Sequence, residues 1–415
     1  MNLDQGSDRL AVHLHNELIG HLWLDGRQRF IFQYAPERKD KPGGLALSLS
    51  LPLRREPYMD DTSRPFFANL LPEAEIRKVL ARRLGVSERN DFILLKEIGG
   101  ECAGAVALFP EGVFPLKNPV YRELDEDELH KIVADLPVKP FLAGETGIRL
   151  SLAGAQDKLP VFMKDDKVFL ALGNAPSTHI IKSPIRNLEA SVVNEAFCMI
   201  LAGKMGLPVA EATVRKNLDP LYVVRRFDRE ITPDGKVIRL HQEDFCQALG
   251  VLPDHKYESE GGPSLHRCFD LIAKESIRPA ADRMALVKWV IFNVLIGNAD
   301  AHAKNLAILL APPGPCLAPF YDLICTRIYE NLSDRLAMKI GGENRPTWLQ
   351  PRHWKEFADT VSVKPGLVIE MLAKMAGELP LRAETIASAF QEKYGSDAVL
   401  EKILDVIQKM ARRLV

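Results

Sequence analysis

The sequence predicts an α+β protein of two lobes, strand-rich in its first half and helix-rich in its second. Three observations carry that prediction. Up to about residue 245, short runs alternate apolar and polar residues between turn signals, the period of half-buried strands. Beyond it, apolar residues recur at helical spacing. At 415 residues the chain is also too long for one ordinary core, so two or three domains or lobes are expected.

Composition bounds the function classes. Hydrophobic residues make up 47% and charged residues 26%, the mix of a soluble globular protein. No apolar run approaches the ~20 residues of a membrane span, and the first eight residues lack the basic and apolar segments of a secretory signal. A cytoplasmic protein with no membrane partner is expected. A net charge of −1 gives no global attraction to nucleic acid, which leaves a local basic patch or DNA contact through a partner. The six cysteines are scattered without Cys-x-x-Cys pairs, so neither a zinc site nor a disulfide framework is signalled. Lying inside apolar stretches, several of them read as small buried hydrophobes.

Residues 10–53 read as β: Leu10, Val12 and Leu14 alternate, Phe30, Phe32 and Tyr34 do the same, and Asp25-Gly26 between them is a hairpin signal. A third alternating run covers residues 45–51. A helix is expected over residues 72–84, with proline at its start and Gly85 past its end. These make a small α+β unit over residues 1–110. Residues 111–146, rich in proline and charge, read as a connection with one short helix near 125–135. In residues 147–245, Val161-Phe162-Met163 and Val168-Phe169-Leu170 flank a polar turn, a hairpin. Residues 179–182 form another strand, 188–205 a helix and 220–224 a strand. Residues 246–415 are mostly helical, with an all-round apolar and hence buried helix over 284–295 and three or four amphipathic helices from 354 onward.

The sharpest chemical signal follows that buried helix: Gly297-Asn298-Ala299-Asp300-Ala301-His302-Ala303-Lys304-Asn305. Phosphoryl transfer to a hydroxyl needs one carboxylate to orient the hydroxyl and accept its proton, and oxygen ligands that hold Mg²⁺ against the phosphates. Protein kinases supply these as Asp-x-x-x-x-Asn and a later Asp. Asp300 and Asn305 stand at that spacing, and Phe320-Tyr321-Asp322 follows an irregular segment. Asp300 is assigned as the base, with Asn305 and Asp322 as Mg²⁺ ligands, since hard oxygens in small number suit that ion. Alternatively, Asp300 and Asn305 merely cap turns, or Asp300, His302 and Asp322 form a metal-hydrolase site completed by His241-Gln242-Glu243-Asp244. An ATP-binding part should precede the base. Ser151-Leu152-Ala153-Gly154-Ala155-Gln156-Asp157-Lys158 is a small-residue loop between strands, although it lacks the glycine fingerprints of nucleotide loops. Lys182 ends an apolar strand, where a kinase carries its phosphate-pairing lysine, and Glu195, thirteen residues on in the next helix, could pair with it. A solvated strand end and an exposed helix face are the plainer alternatives.

The ordered set Ser151–Lys158, Thr178–Ile185, Arg226–Arg229, His241–Asp244, Lys256–Glu258 with Gly261–Pro263, and Gly297–Asn305 resembles the signatures of the HipA family of toxin–antitoxin kinases. Pro65–Glu73 resembles the family's N-terminal subdomain, so the likeness spans essentially the whole chain. It implies a two-lobed protein-kinase-like fold with an extra N-terminal subdomain, and an ATP- and Mg²⁺-dependent serine/threonine kinase. By that likeness residues 147–245 hold the ATP-binding part of the core and residues 246–415 the helical lobe with the catalytic loop. It further implies a toxin that phosphorylates an aminoacyl-tRNA synthetase, glutamyl-tRNA synthetase first, stalling translation and producing persistence. A small helix-turn-helix antitoxin, HipB-like, is the implied partner, and the complex represses its operator DNA.

Carried over by motif, Ser151 matches the autophosphorylated serine, and Ala153, Gly154, Ala155, Gln156, Asp157 and Lys158 the phosphate loop. Lys182 matches the ATP lysine, Asp300 the proton acceptor, His302, Ala303, Lys304 and Asn305 the catalytic loop, and Tyr321 and Asp322 the metal-binding pair. Arg225, Arg226 and Phe227 fall at the adenine hinge, where Arg225 stands in place of an expected acidic residue. Phosphorylation of Ser151 would add about −1.5 to −2 charges beside the phosphates and is expected to switch the kinase off. Two rival classes remain: a small-molecule kinase, whose loop usually carries His-Gly-Asp where this chain has Asn298-Ala299-Asp300, and a non-catalytic co-repressor.

Overall fold

The computed structural model describes residues 8–39, 44–116, 118–145, 147–216 and 219–414. The chain divides into two compact units, one of Met1–Ser183, Arg226–Asp254 and Leu309–Pro313, the other of Pro184–Arg225, His255–Ile308 and Gly314–Val415.

The first unit opens with an antiparallel sheet ordered β3-β2-β1-β4, where β1 is Arg9–Leu14, β2 Glu17–Leu24, β3 Phe30–Tyr34 and β4 Val106–Pro110. The expected Asp25-Gly26 turn is present but longer than a two-residue hairpin. The Asp25 carboxylate accepts from the amides of Arg27 and Arg29 at 2.8 and 2.9 Å, and Gln28, not Gly26, takes the left-handed conformation. The turn into β2 at His15-Asn16, both left-handed, carries no glycine and escapes a motif search. Helices α1 (Asp60–Ala68), α2 (Ala74–Leu84) and α3 (Asp91–Ile98) supply the rest of this core. Phe30, Phe32, Phe66, Phe67 and Phe92 are all buried in it, packed edge to face. As predicted, α2 ends on Gly85 at φ +69.

Residues 45–51 are not the expected strand. Leu47 and Leu51 are buried as the alternation requires, but side chains satisfy much of the backbone. Tyr34 Oη accepts from Leu47 N at 2.8 Å, the Glu243 carboxylate accepts from Leu49 N at 2.8 Å and from Ser48 Oγ, and Ser50 Oγ donates to Gln247 O at 2.9 Å. Alternation marks burial; a strand also needs a neighbouring ladder.

A second sheet in the same unit runs β5-β7-β6-β8, with β5 Val120–Leu124, β6 Lys158–Lys164, β7 Lys167–Leu172 and β8 His179–Lys182. Helix α4, Glu126–Asp135, is N-capped by Asp125. Thus the 111–146 stretch contributes an edge strand as well as its one helix.

In the second unit, α5 (Ser191–Lys204) precedes the antiparallel pair β9 (Ala212–Arg215) and β10 (Leu221–Arg225). Helices α6 (Leu265–Glu275) and α7 (Pro279–Ile296) follow. The last segment forms α8 (Pro351–Thr360), α9 (Pro365–Tyr394) and α10 (Ala398–Leu414). From Leu286 almost every residue of α7 is buried, Trp289 included, which is why its sequence shows no polar face. Among the described residues no helix is long and apolar enough to cross a membrane. Five cysteines are buried and Cys316 is half-buried, all as free thiols.

Candidate functional site

The sequence-predicted residues fall into two sets, one in each unit. In the first unit, residues 151–158 join the extended segment at Leu150 to β6. The loop is anchored to residues 70–73 and 101. Ser151 N donates to Glu101 O at 2.9 Å, Ser151 Oγ donates to Leu70 O at 2.8 Å, and Glu73 N donates to Gly154 O at 3.1 Å. Ser151 is fully buried, pinned inward by those bonds. Gly154 adopts φ +111, a conformation that favours glycine, and a Cβ there would push the Lys158 ammonium aside. Lys158 Nζ donates to Ala153 O at 2.5 Å, and Gln156 Nε2 donates to Ser183 O at 2.8 Å. Ala155 is exposed at the loop's tip.

The register of β6 on β8 sets Lys158 directly opposite Lys182, and both are buried. Like charges across a strand pair repel, so two buried lysines in register need anionic company. The solvated strand end considered for Lys182 is thereby excluded. Such a pair beside a small-residue loop fits a polyphosphate.

Arg226, expected near the adenine, turns its side chain inward. Its guanidinium meets Glu101 at 3.0 Å and Asp228 at 2.8 Å, while its amide donates to Thr178 O at 2.9 Å. Arg229 joins the same cluster, donating to Glu101 Oε1 at 2.5 Å. Burial alone would push the Glu101 carboxyl up, but Arg226, Arg229 and Arg239 hold it below its ordinary value. Arg239, buried among these cations, is pushed down to about 10 by burial first and by Arg229 next. The Arg226 side chain is thus committed to this buried cluster. Phe227 is half-buried, and Arg225, in the other unit, is exposed and ion-paired with Glu211 at 3.3 Å.

In the second unit, α7 stops at Gly297, φ +71, where a Cβ would press on the Val406 and Arg327 side chains. The following loop is fixed by its own side chains. Asn298 Nδ2 donates to Asn293 Oδ1 at 2.7 Å, Asp300 N to Asn298 Oδ1 at 3.0 Å, and Ala299 N to Thr326 Oγ1 at 2.8 Å. The Asp300 carbonyl accepts from His302 N and Asn305 Nδ2, both at 2.9 Å. Asp300's side chain is half-exposed, whereas His302, Ala303, Lys304 and Asn305 are buried. The Asp300–Asn305 spacing is thus a closed turn that holds one carboxylate out. Tyr321 Oη donates to Lys304 O at 2.8 Å, binding the Tyr321-Asp322 pair to the same loop. Asp322 sits at φ +54, strained for a non-glycine residue and characteristic of functional positions.

Glu195 is buried, not on an exposed helix face, and is hydrogen-bonded to Tyr222. Burial, with the charges of Glu195 and Asp322 nearby, raises the Tyr222 phenol well above its ordinary value. Asn305 and Asp322 offer the amide and carboxylate oxygens that a hard divalent cation takes in small number. Among the described residues no cluster of three or more His, Cys, Asp or Glu could hold a metal by itself. The residues a metal hydrolase would enlist are engaged otherwise: His241 Nε2 donates to Leu47 O at 2.8 Å, Glu243 binds residues 48 and 49, and Asp244 caps the turn at Gln247.

The sequence reading gave no role to residues 70–73 and Glu101, which hold the phosphate-loop candidate, nor to Tyr257, whose hydroxyl donates to Asp300 Oδ1 at 2.5 Å. The anchors at residues 70, 73 and 101 act through main-chain atoms, which leave no residue-type signature, whereas Tyr257 acts through its side chain and belongs to the Lys256–Glu258 motif.

Fold and loop together define an α+β protein of the kinase-like class. Residues 10–109 match the family model described as the HipA N-terminal domain, and residues 150–383 the HipA-like C-terminal domain. The chain belongs to the HipA family. It is 33% identical over 385 residues to the serine/threonine-protein kinase toxin HipA of Shewanella oneidensis, covering 89% of this chain and 87% of that protein. It is 42% identical over 391 residues to the protein Y4mE of Sinorhizobium fredii, covering 92% of each. A chain of the solved Shewanella oneidensis toxin–antitoxin complex of HipA, HipB and operator DNA superposes with a TM-score of 0.85 at 31% identity, over 98% of this chain and 97% of that one.

Proposed function

We propose that this protein is an ATP- and Mg²⁺-dependent serine/threonine protein kinase acting as the toxin of a toxin–antitoxin module. The observation that carries the proposal is the register that buries Lys158 opposite Lys182 beside the Gly154 loop. Two buried cations facing one small-residue loop suit the phosphates of a nucleotide. Lys158, Lys182 and the amides of residues 153–157 would hold the phosphates, and the backbone near Arg225, Arg226 and Phe227 the adenine. Asn305 and Asp322 would hold Mg²⁺, which when bound offsets negative charge on the phosphates. His302, Ala303 and Lys304 keep the catalytic loop in shape, with Tyr321 bonded to the Lys304 carbonyl. Asp300 orients the acceptor hydroxyl and takes its proton.

The similarity to a toxin kinase and to a chain from a HipA–HipB–operator complex supports a HipB-like helix-turn-helix antitoxin as partner, with operator DNA reached through that complex. An aminoacyl-tRNA synthetase, glutamyl-tRNA synthetase first, is the proposed protein substrate in the cytoplasm, and stalled translation and persistence the proposed consequence. The domain boundaries proposed for this activity are 1–110, 111–146, 147–245 and 246–415.

Ser151 is the proposed site of self-inactivation, and its burial gives the switch a physical form. Its hydroxyl faces the Leu70 carbonyl, a place no phosphate dianion can occupy. Phosphorylation therefore requires the loop to leave and prevents its return. Nucleotide affinity tests this: after incubation with Mg²⁺ and ATP the wild type should lose affinity, whereas Ser151→Ala keeps it. Equal affinity in both, with Ser151 phosphorylated in the wild type, would sink the switch.

A further inference from the structure

The Lys256-Tyr257-Glu258 stretch and the Gly261-Gly262-Pro263 turn have no part in the assignments above, yet both are tied to the catalytic loop. The Tyr257 hydroxyl donates to Asp300 Oδ1 at 2.5 Å, and its ring lies edge-on to His302 with centroids 5.2 Å apart. Main-chain bonds set that hydroxyl in place. Gly262 N donates to Tyr257 O at 2.9 Å, and a Cβ on Gly262 would collide with the backbone of His255, Lys256 and Tyr257, so the turn closes only around glycine. Glu258 N donates to Ala337 O at 3.1 Å, while Ala337 N donates to Ala299 O at 3.0 Å. The residue after Tyr257 and the residue before Asp300 are thus pinned to the same alanine. Lys339 N donating to Glu258 Oε2 at 2.7 Å closes the brace.

We infer that Tyr257 is a positioning residue for the base. A half-exposed aspartate would otherwise sample several rotamers. The Tyr257 bond fixes the carboxylate by Oδ1 and presents Oδ2, which takes no hydrogen bond among the described residues, to the acceptor hydroxyl. Holding a reacting group in its productive geometry is worth rate without any change in nucleotide binding. The inference rests on Asp300 being the base of a kinase.

Tyr257→Phe tests it, because the ring stays against His302 and only the hydroxyl is lost. Full-length wild type and variant are compared in phosphate incorporation at saturating Mg²⁺ and ATP, in nucleotide affinity and in melting temperature. The expected result is about tenfold slower incorporation, the worth of one hydrogen bond to a carboxylate, with affinity and melting temperature unchanged. Equal rates would overturn the inference, as would a slower rate accompanied by lower affinity or stability, which would make Tyr257 a structural residue. Absence of transfer in the wild type would instead remove the kinase reading itself.

Discussion

Replacing Glu101 by glutamine removes one carboxylate from a fully buried cluster and leaves its partners where they are. In the wild type, Glu101 meets Arg226 Nη1 with both oxygens, at 3.0 and 3.1 Å, and Arg229 Nη2 at 2.5 Å. Asp228 is the other anion, so Glu101→Gln leaves Arg226, Arg229 and Arg239 with a single buried carboxylate between them. Breaking a buried pair by removing one partner costs about 3–5 kcal/mol, because the remaining charge has lost its water and its counterion. For a unit of this size that lowers the melting temperature by roughly 6–20 °C. Glu123→Gln is the control: its pair with Lys167, 2.7 Å apart but with both side chains more than half exposed, should be worth under about 1 kcal/mol. Calorimetry of the three proteins at neutral pH decides the matter. Equal small losses in both variants would refute the view that this cluster is dry and tightly coupled. A pH series adds a second check. The Glu101 carboxyl is held low in the fold, so its contribution is complete above the unfolded pKa and is lost as pH falls through the lower folded value.

His241 makes a further pH prediction. Burial pushes its imidazole down to about 4, so it stays neutral in the fold while the unfolded chain takes up a proton below about 6.5. Stability should therefore fall by roughly 3 kcal/mol as pH drops from 6.5 to 4 and level off below, and His241→Gln should flatten that segment; an unchanged slope would exclude His241 as its source. Thiol chemistry checks the burial pattern. In the native protein only the half-buried Cys316 should react with an aqueous thiol reagent, slowly because burial raises its thiol, and all six should react after unfolding. Two or more fast native thiols would contradict the packing described.

What the sequence made legible follows the kind of signal each feature leaves. The α7 helix and its glycine stop, the β6–β7 hairpin and the helices after residue 350 were readable because periodicity and a terminator coincide there. The 45–51 segment misled because its alternation reports burial of Leu47 and Leu51, while Tyr34 and Glu243, distant in sequence, take the place of a ladder. At the site, Asp300 and Asn305 were readable from spacing, and the closed turn between them explains why that spacing matters. On sequence alone Glu195 could pair with Lys182 or lie on a solvated helix face; only the fold buries it with Tyr222 against it. Arg226 illustrates the converse. Its motif placed it at the expected adenine hinge, yet its charge belongs to Glu101 and Asp228. The anchors at Leu70, Glu73 and Glu101 act through backbone atoms, which every residue type possesses.

The central claim, phosphoryl transfer with Asp300 as the base, is tested most directly by intact mass after incubation with Mg²⁺ and ATP, wild type beside Asp300→Asn. Asp300 is half-exposed, so the variant should fold normally. Loss of a general base lowers the rate about 10²–10⁴-fold. The account predicts one added phosphate in the wild type alone, mapping to Ser151. A wild type that is isolated unmodified, binds nucleotide and gains no mass, or an Asp300→Asn variant that gains it as fast, would contradict the account.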